Sequence, residues 1–113
     1  METVTHYRQL IQRYLSELET LNRQQPRAGV ETVCVFDEVR DHYLLVNTGW
    51  ERDHRVDGAT LHVRIRDGKI WVEEDWTEEG IAEFLVREGV PREDIVLGFQ
   101  PPAMRCYTEF AVV

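Results

Sequence analysis

Cysteine is scarce in this sequence, with two among 113 residues, and neither Cys34 nor Cys106 sits in a C-x-x-C or in a partnered Cys/His spacing. In a reducing compartment both read as plain thiols rather than a redox pair or a metal site. No apolar run approaches the ~20 residues that cross a bilayer, and the opening Met1-Glu2-Thr3-Val4-Thr5-His6 lacks the basic-then-apolar order of a signal peptide. A cytoplasmic location is expected. A glycine-rich phosphate loop, a nucleophile elbow and kinase-type motifs are also missing, so the residues point to no catalytic group and no cofactor. There is no internal repeat and no low-complexity stretch.

Positive charge is short as well: 13 Lys and Arg stand against 21 Asp and Glu, a net charge of −8. The imbalance is local. Residues 1–30 carry Arg8, Arg13, Arg23 and Arg27 against three Glu, whereas residues 73–94 carry nine acids against Arg87 and Arg92. Such a field repels a phosphate backbone, so direct nucleic-acid binding by this chain alone is unfavourable.

What is present is an ordinary globular balance, 42% hydrophobic and 30% charged, in a length that suits one domain over residues 1–113. Val4, Tyr7, Ile11, Tyr14, Leu18 and Leu21 recur at spacings of three and four, which predicts an amphipathic helix from about residue 4 to about residue 22. Thr3 or Thr5 can cap it, and Pro26 and Gly29 follow its end. From residue 30 to residue 76 β-branched and aromatic residues dominate between short turn signals, which predicts four strands in an antiparallel meander. In the third, Ala59, Leu61, Val63 and Ile65 alternate with Thr60, His62, Arg64 and Arg66, one face dry and the other wet. Asp67-Gly68 then calls for a two-residue hairpin loop. That loop pairs Ile65 with Ile70, Val63 with Val72, Arg64 with Trp71 and His62 with Glu73. Thr77 reads as the N-cap of a second helix over about residues 78–88, packed on the sheet, with Glu78 and Glu79 in its first turn. Ile95-Val96-Leu97 is a short apolar segment, and residues 106–113 read as a final short strand. The class is α+β.

Five strings carry a resemblance. They are Arg40-Asp41-His42-Tyr43-Leu44-Leu45-Val46-Asn47-Thr48-Gly49-Trp50, Asp67-Gly68-Lys69-Ile70-Trp71-Val72 and Thr77-Glu78-Glu79-Gly80-Ile81-Ala82. Gly89-Val90-Pro91-Arg92-Glu93-Asp94-Ile95-Val96-Leu97-Gly98-Phe99 and Tyr107-Thr108-Glu109-Phe110-Ala111-Val112 complete the set. In this order and spacing the chain resembles the XisI-type family of element-excision controlling factors along nearly its whole length. The resemblance implies an accessory factor for programmed excision of a DNA element, working alongside a recombinase and a nuclease-like companion protein. It implies no catalytic motif.

Candidate sites are weighed against plainer roles. His6, His42, His54 and His62 show no i, i+4 ligand spacing, so His62 with Glu73 reads as an exposed cross-strand pair. Glu73, Glu74 and Asp75 with Glu78 and Glu79 could offer oxygen ligands to a divalent cation. Strand alternation, however, turns Glu74 away from the other two strand acids. Electrostatics at a helix N-terminus, or an acidic docking surface, suits them better. Trp71 is expected on the wet face beside Arg64, and Trp76 near the acids. Together Arg64, Trp71, Trp76, Glu78, Glu79 and Glu83 form the expected protein interface, for which the nuclease-like companion is the leading partner. A DNA-binding module using the four N-terminal arginines and a metal-dependent enzyme are the alternatives. A homo-oligomer is also expected, because Val33 and Val35 alternate with Cys34 and Phe36 and leave the first strand no polar face.

Overall fold

In the computed structural model, which describes residues 2–113, the N-terminal stripe forms helix α1, Glu2–Gln24, with Tyr7, Leu10, Ile11, Tyr14 and Leu15 buried. The helix starts earlier than its apolar stripe, so Thr3 and Thr5 lie inside it and neither caps it. Past Pro26 the chain enters a sheet of β1 (Val30–Asp37), β2 (His42–Glu51), β3 (His54–Arg66) and β4 (Lys69–Asp75). Each pairs antiparallel with the next. At the β1–β2 end two glycines are required by contact, since a Cβ on Gly29 would lie 2.5 Å from the Trp50 carbonyl oxygen and one on Gly49 1.9 Å from that of Gly29.

Asp67 and Gly68 both take positive φ, 53° and 77°, the conformation of the tight turn that the Asp-Gly pair called for. The turn sets Ile65 opposite Ile70, Arg64 opposite Trp71 and Val63 opposite Val72. There the expected register ends. A bulge between His62 and Val63 places His62 opposite Glu74, not Glu73, and also breaks the alternation on which the orientation of Glu73 and Glu74 had been reasoned. β3 itself starts earlier than its alternating segment, after a turn in which Arg52 takes φ 58°.

Helix α2 spans Ile81–Arg87, two turns rather than three, and Thr77 does not cap it. The Thr77 hydroxyl instead donates to Asp75 Oδ1 at 2.5 Å, while Asp75 Oδ2 accepts the Ile81 N–H at 2.7 Å. A strand-end carboxylate thus satisfies the first helix donor, and Glu78 and Glu79 remain in the loop before it. Ile95–Leu97 becomes a fifth strand, β5, parallel to β4, so the meander grows into a five-stranded mixed sheet in the order β1-β2-β3-β4-β5. A 3₁₀ helix at Pro102–Tyr107 follows, and the terminal stretch contributes one parallel bridge, Ala111 to Val96.

α1 and α2 cover one face of this sheet. Tyr43, Leu45, Leu61, Val63, Ile65, Ile70 and Val72 point into that layer with Ile81, Phe84 and Leu85. Polar groups fasten its margin. Arg8 grips Asp41 with two hydrogen bonds, 2.6 and 3.0 Å, and the Tyr43 hydroxyl donates to the same carboxylate at 2.8 Å. The Arg8 hydrogen bond holds the Asp41 carboxyl below the usual carboxylate range, against the opposing effect of burial. Among the described residues no helix is long and apolar enough to cross a membrane.

Candidate interaction site

Where α1 runs past the packed layer, it leaves a cleft of about 690 Å³ between its second half, the sheet and the loop leading to α2. One wall is Tyr14, Leu18 and Leu21, the floor is Leu45, Asn47 and Thr60, and the far wall is Trp76, Thr77, Glu78 and Glu79 with Phe84 and Arg87 behind. The floor is polar because the sheet changes character there. Thr32 donates to Asn47 Oδ1 at 2.6 Å and Asn47 Nδ2 donates to Thr60, so three strands are tied by side chains in a row. Thr60 joins this row because a register shift between Leu45 and Val46 leaves it unpaired in the β2–β3 ladder.

Asp75 shapes the far wall. Its Oδ1 accepts from both the Thr77 N–H (2.8 Å) and the Thr77 hydroxyl, which pins the loop and turns the preceding Trp76 outward. Trp76 is 76% exposed, and its Nε1–H is held by Glu74 at 2.8 Å. Across the cleft mouth the Tyr14 hydroxyl lies 3.3 Å from Thr77 Oγ1, and burial pushes the Tyr14 pKa up. The Tyr14 and Phe84 rings pack at 4.8 Å, with the Arg13 and Arg87 guanidiniums over Phe84 at 5.2 and 5.6 Å. Arg87 in turn pairs with Glu79 at 2.9 Å, leaving Glu78 as the carboxylate on this rim without an ion-pair partner among the described residues.

The six residues expected at an interface separate into two places. Trp76, Glu78 and Glu79 meet at the cleft, and Glu83 opens on a neighbouring depression of about 260 Å³ that also reaches Glu78 and Glu79. Arg64 and Trp71 lie on the opposite face of the sheet, and Trp71 is not exposed there: it keeps 7% of its surface. Arg64, Arg66 and Arg105 set their guanidiniums 5.9, 5.2 and 5.3 Å from its ring centre. Arg105 comes from the C-terminal 3₁₀ helix, held by the carbonyls of Gln100 and Gly98 at 3.1 and 3.3 Å. Arg64 lies beside Trp71 as expected and gives it cation–π cover, and burial by a distant segment completes it.

The expected His62–Glu73 pair does not form. Glu73 bonds Arg64 at 2.6 Å, and His62 Nε2 instead meets His42 Nδ1 at 3.0 Å. Burial, and then the nearness of His42, lower the His62 pKa. No cluster of three or more His, Cys, Asp or Glu able to hold a metal is found among the described residues. Tyr14 and Asn47 were not expected at a site, and Thr60, expected on the wet face of β3, is turned into the cleft floor by the register shift. Asn47, a polar residue continuing the inward series of Tyr43 and Leu45, was the one signal that the floor turns polar there.

Comparison with known proteins matches this chain to the family model described as XisI protein over residues 1–112. No curated protein matches it significantly. Among solved structures it is similar to a XisI-like protein from Anabaena variabilis ATCC 29413, with 38% identity, a TM-score of 0.89, and coverage of 96% of this chain and 98% of that one. It is likewise similar to the fdxN element excision controlling factor XisI from Anabaena variabilis ATCC 29413, with 38% identity, a TM-score of 0.86, and coverage of 98% and 99%. With the family model matched almost from end to end and the same fold at this identity, the chain belongs to the XisI family.

Proposed function

We propose that this protein is a non-enzymatic controlling factor for excision of a DNA element, acting in the cytoplasm by binding a nuclease-like companion protein through the acidic, aromatic-edged cleft. The control of excision rests on family membership and on the relative named as an excision controlling factor. The observation that carries the binding mode is Trp76, 76% exposed beside Glu78 and Glu79. A tryptophan left in water at the edge of a concave surface is the residue type most often responsible for affinity at protein interfaces. The carboxylates around it complement the basic face with which a nuclease holds nucleic acid, and would steer encounter with it.

The arginines of the N-terminal region favour this reading over direct DNA contact. Arg8, Arg13, Arg23 and Arg27 are each engaged by a carboxylate, of Asp41, Glu88, Glu19 and Glu51 at 2.6 to 2.9 Å. Phosphate contact there would compete with a carboxylate already beside each guanidinium.

The test is co-purification of the chain with the products of its neighbouring genes, followed by binding kinetics with the protein captured. Replacing Glu78, Glu79 and Glu83 together by Gln is expected to slow association about tenfold at low salt, with the difference vanishing as ionic strength rises. Trp76→Ala is expected to speed dissociation instead. Unchanged rates for both variants would reduce the cleft rim to a solvated surface.

A further inference from the structure

The sheet face opposite the helices is only half covered. Over β4 and β5 the C-terminal segment lies on it: Arg105 caps Trp71, and Val96, paired with Trp71, is fully buried. Over β1 to β3 no segment among the described residues does so. In the ladder register Val33 lies beside Val46, Val35 beside Leu44, and Leu44 beside His62, on the side away from α1. Val33 and Val35 keep 37% and 46% of their surface exposed. This is an apolar strip running inward from the edge strand β1, where a strand with a wet face would carry polar residues.

We propose that this bare half of the outer face docks a second copy of the same chain. The charges of this face choose that occupant. Counted with the β4 margin and its cover, the outward positions hold Glu31, Asp37, Asp57 and Glu73 against Arg55, Arg64, Arg66 and Arg105, so the outer face as a whole is close to neutral in a chain of net charge −8. Two identical acidic molecules repel through most of their surfaces, and this is the face through which they do so least. A two-fold contact sets a patch against itself, which demands both signs around an apolar centre, and this patch has them. The acidic companion-binding rim sits on the other side of the sheet and would meet its own copy with like charge.

Three strands make a floor of about 14 by 30 Å, smaller than the about 800 Å² that a standard interface takes from each partner, so the dimer expected from this face is one of modest affinity. Edge-to-edge pairing is a poorer alternative, because Glu19 reaches from α1 to accept the Cys34 N–H at 2.7 Å and occupies the outer edge of β1.

Light scattering on the full chain at tens of micromolar is expected to return twice its 13.3 kDa. Val35→Asp combined with Leu44→Asp is expected to return the monomer mass. Should that pair disturb folding, Val33→Thr with Val35→Thr keeps the β-branched shape and is expected to raise the dimer dissociation constant at least tenfold with an unchanged circular dichroism spectrum. The triple Gln variant of Glu78, Glu79 and Glu83 is expected to remain dimeric, which separates this face from the cleft. A wild-type chain that stays at monomer mass at several hundred micromolar overturns the proposal. So does a valine variant that stays dimeric, and if the valine changes weaken only capture of the companion, the face belongs to that partner.

Discussion

The two faces of one sheet have been treated very differently by the same chain. On the helix side Tyr43, Leu61, Val63 and Ile70 are wholly buried by α1 and α2, while on the outer side Val33 and Val35 remain open and Trp71 is covered by two arginines of β3 and by a segment more than 30 residues further along. The inner positions are almost wholly apolar, whereas the outer ones set a short apolar strip among charged residues. An amphipathic element lies across the first and not across that strip, and the lesson is that the exposure of an apolar patch on a sheet is a property of its cover. Where the cover ends, the chain presents surface able to bind something else.

The contrast can be sharpened by truncating one residue on each face. Leu15→Ala, which empties a fully buried site between α1 and the sheet, is expected to cost about 2–5 kcal/mol of folding stability. Val35→Ala is expected to cost under about 1 kcal/mol in dilute monomer, because its side chain is already 46% exposed. Urea denaturation of both variants at low protein concentration checks this, and equal losses would erase the distinction between the faces.

A smaller effect tests the cover over Trp71. Arg105→Ala removes one of three guanidiniums from the indole and opens it to water, with an expected loss of about 1 kcal/mol. In a background where Trp50 and Trp76 are replaced by Phe, the emission of Trp71 is expected to move to longer wavelength on this change. An emission maximum that does not move would mean that the other two arginines cover the ring unaided.

The least intrusive comparison uses the two thiols and leaves folding intact. Cys34 sits on the helix side with its Sγ–H donating to the Leu15 carbonyl at 3.3 Å, and burial, with Glu19 beside it, pushes its pKa up to about 11. Cys106 lies exposed in the C-terminal 3₁₀ helix. Because the thiolate is the reacting species, at pH 8 a thiol of that pKa is expected to react with a disulfide reagent ~100-fold more slowly than an ordinary exposed one. Its rate should climb roughly tenfold per pH unit from pH 8 to pH 10. Two thiols reacting together at pH 8 would place Cys34 outside the helix-covered layer.

Much of the helix-covered face was legible from residue order. The three-and-four stripe from Val4 to Leu21 announced α1, and the Asp67-Gly68 pair announced the register of Ile65, Arg64 and Val63 with their partners, because both signals are local and rest on backbone geometry. The site was legible in composition and not in place. Trp76, Glu78 and Glu79 were singled out and do share a cleft, but Glu83 opens beside it and Trp71 with Arg64 belongs to the other face.

By itself, then, the sequence determined the α+β class, the helix, the antiparallel order of β1 to β4 and the concentration of acid around Trp76. Each follows from spacing within a few residues or from charge that no fold can remove. Tertiary structure alone decided the rest. It added β5 beside β4, shifted Glu73 from His62 to Arg64 through a bulge, set Asp75 rather than Thr77 at the start of α2, and buried Trp71 under Arg105. These depend on contacts between residues far apart in the chain, where the competition among partners for one carboxylate or one ring is settled by three-dimensional proximity, and no local periodicity records it.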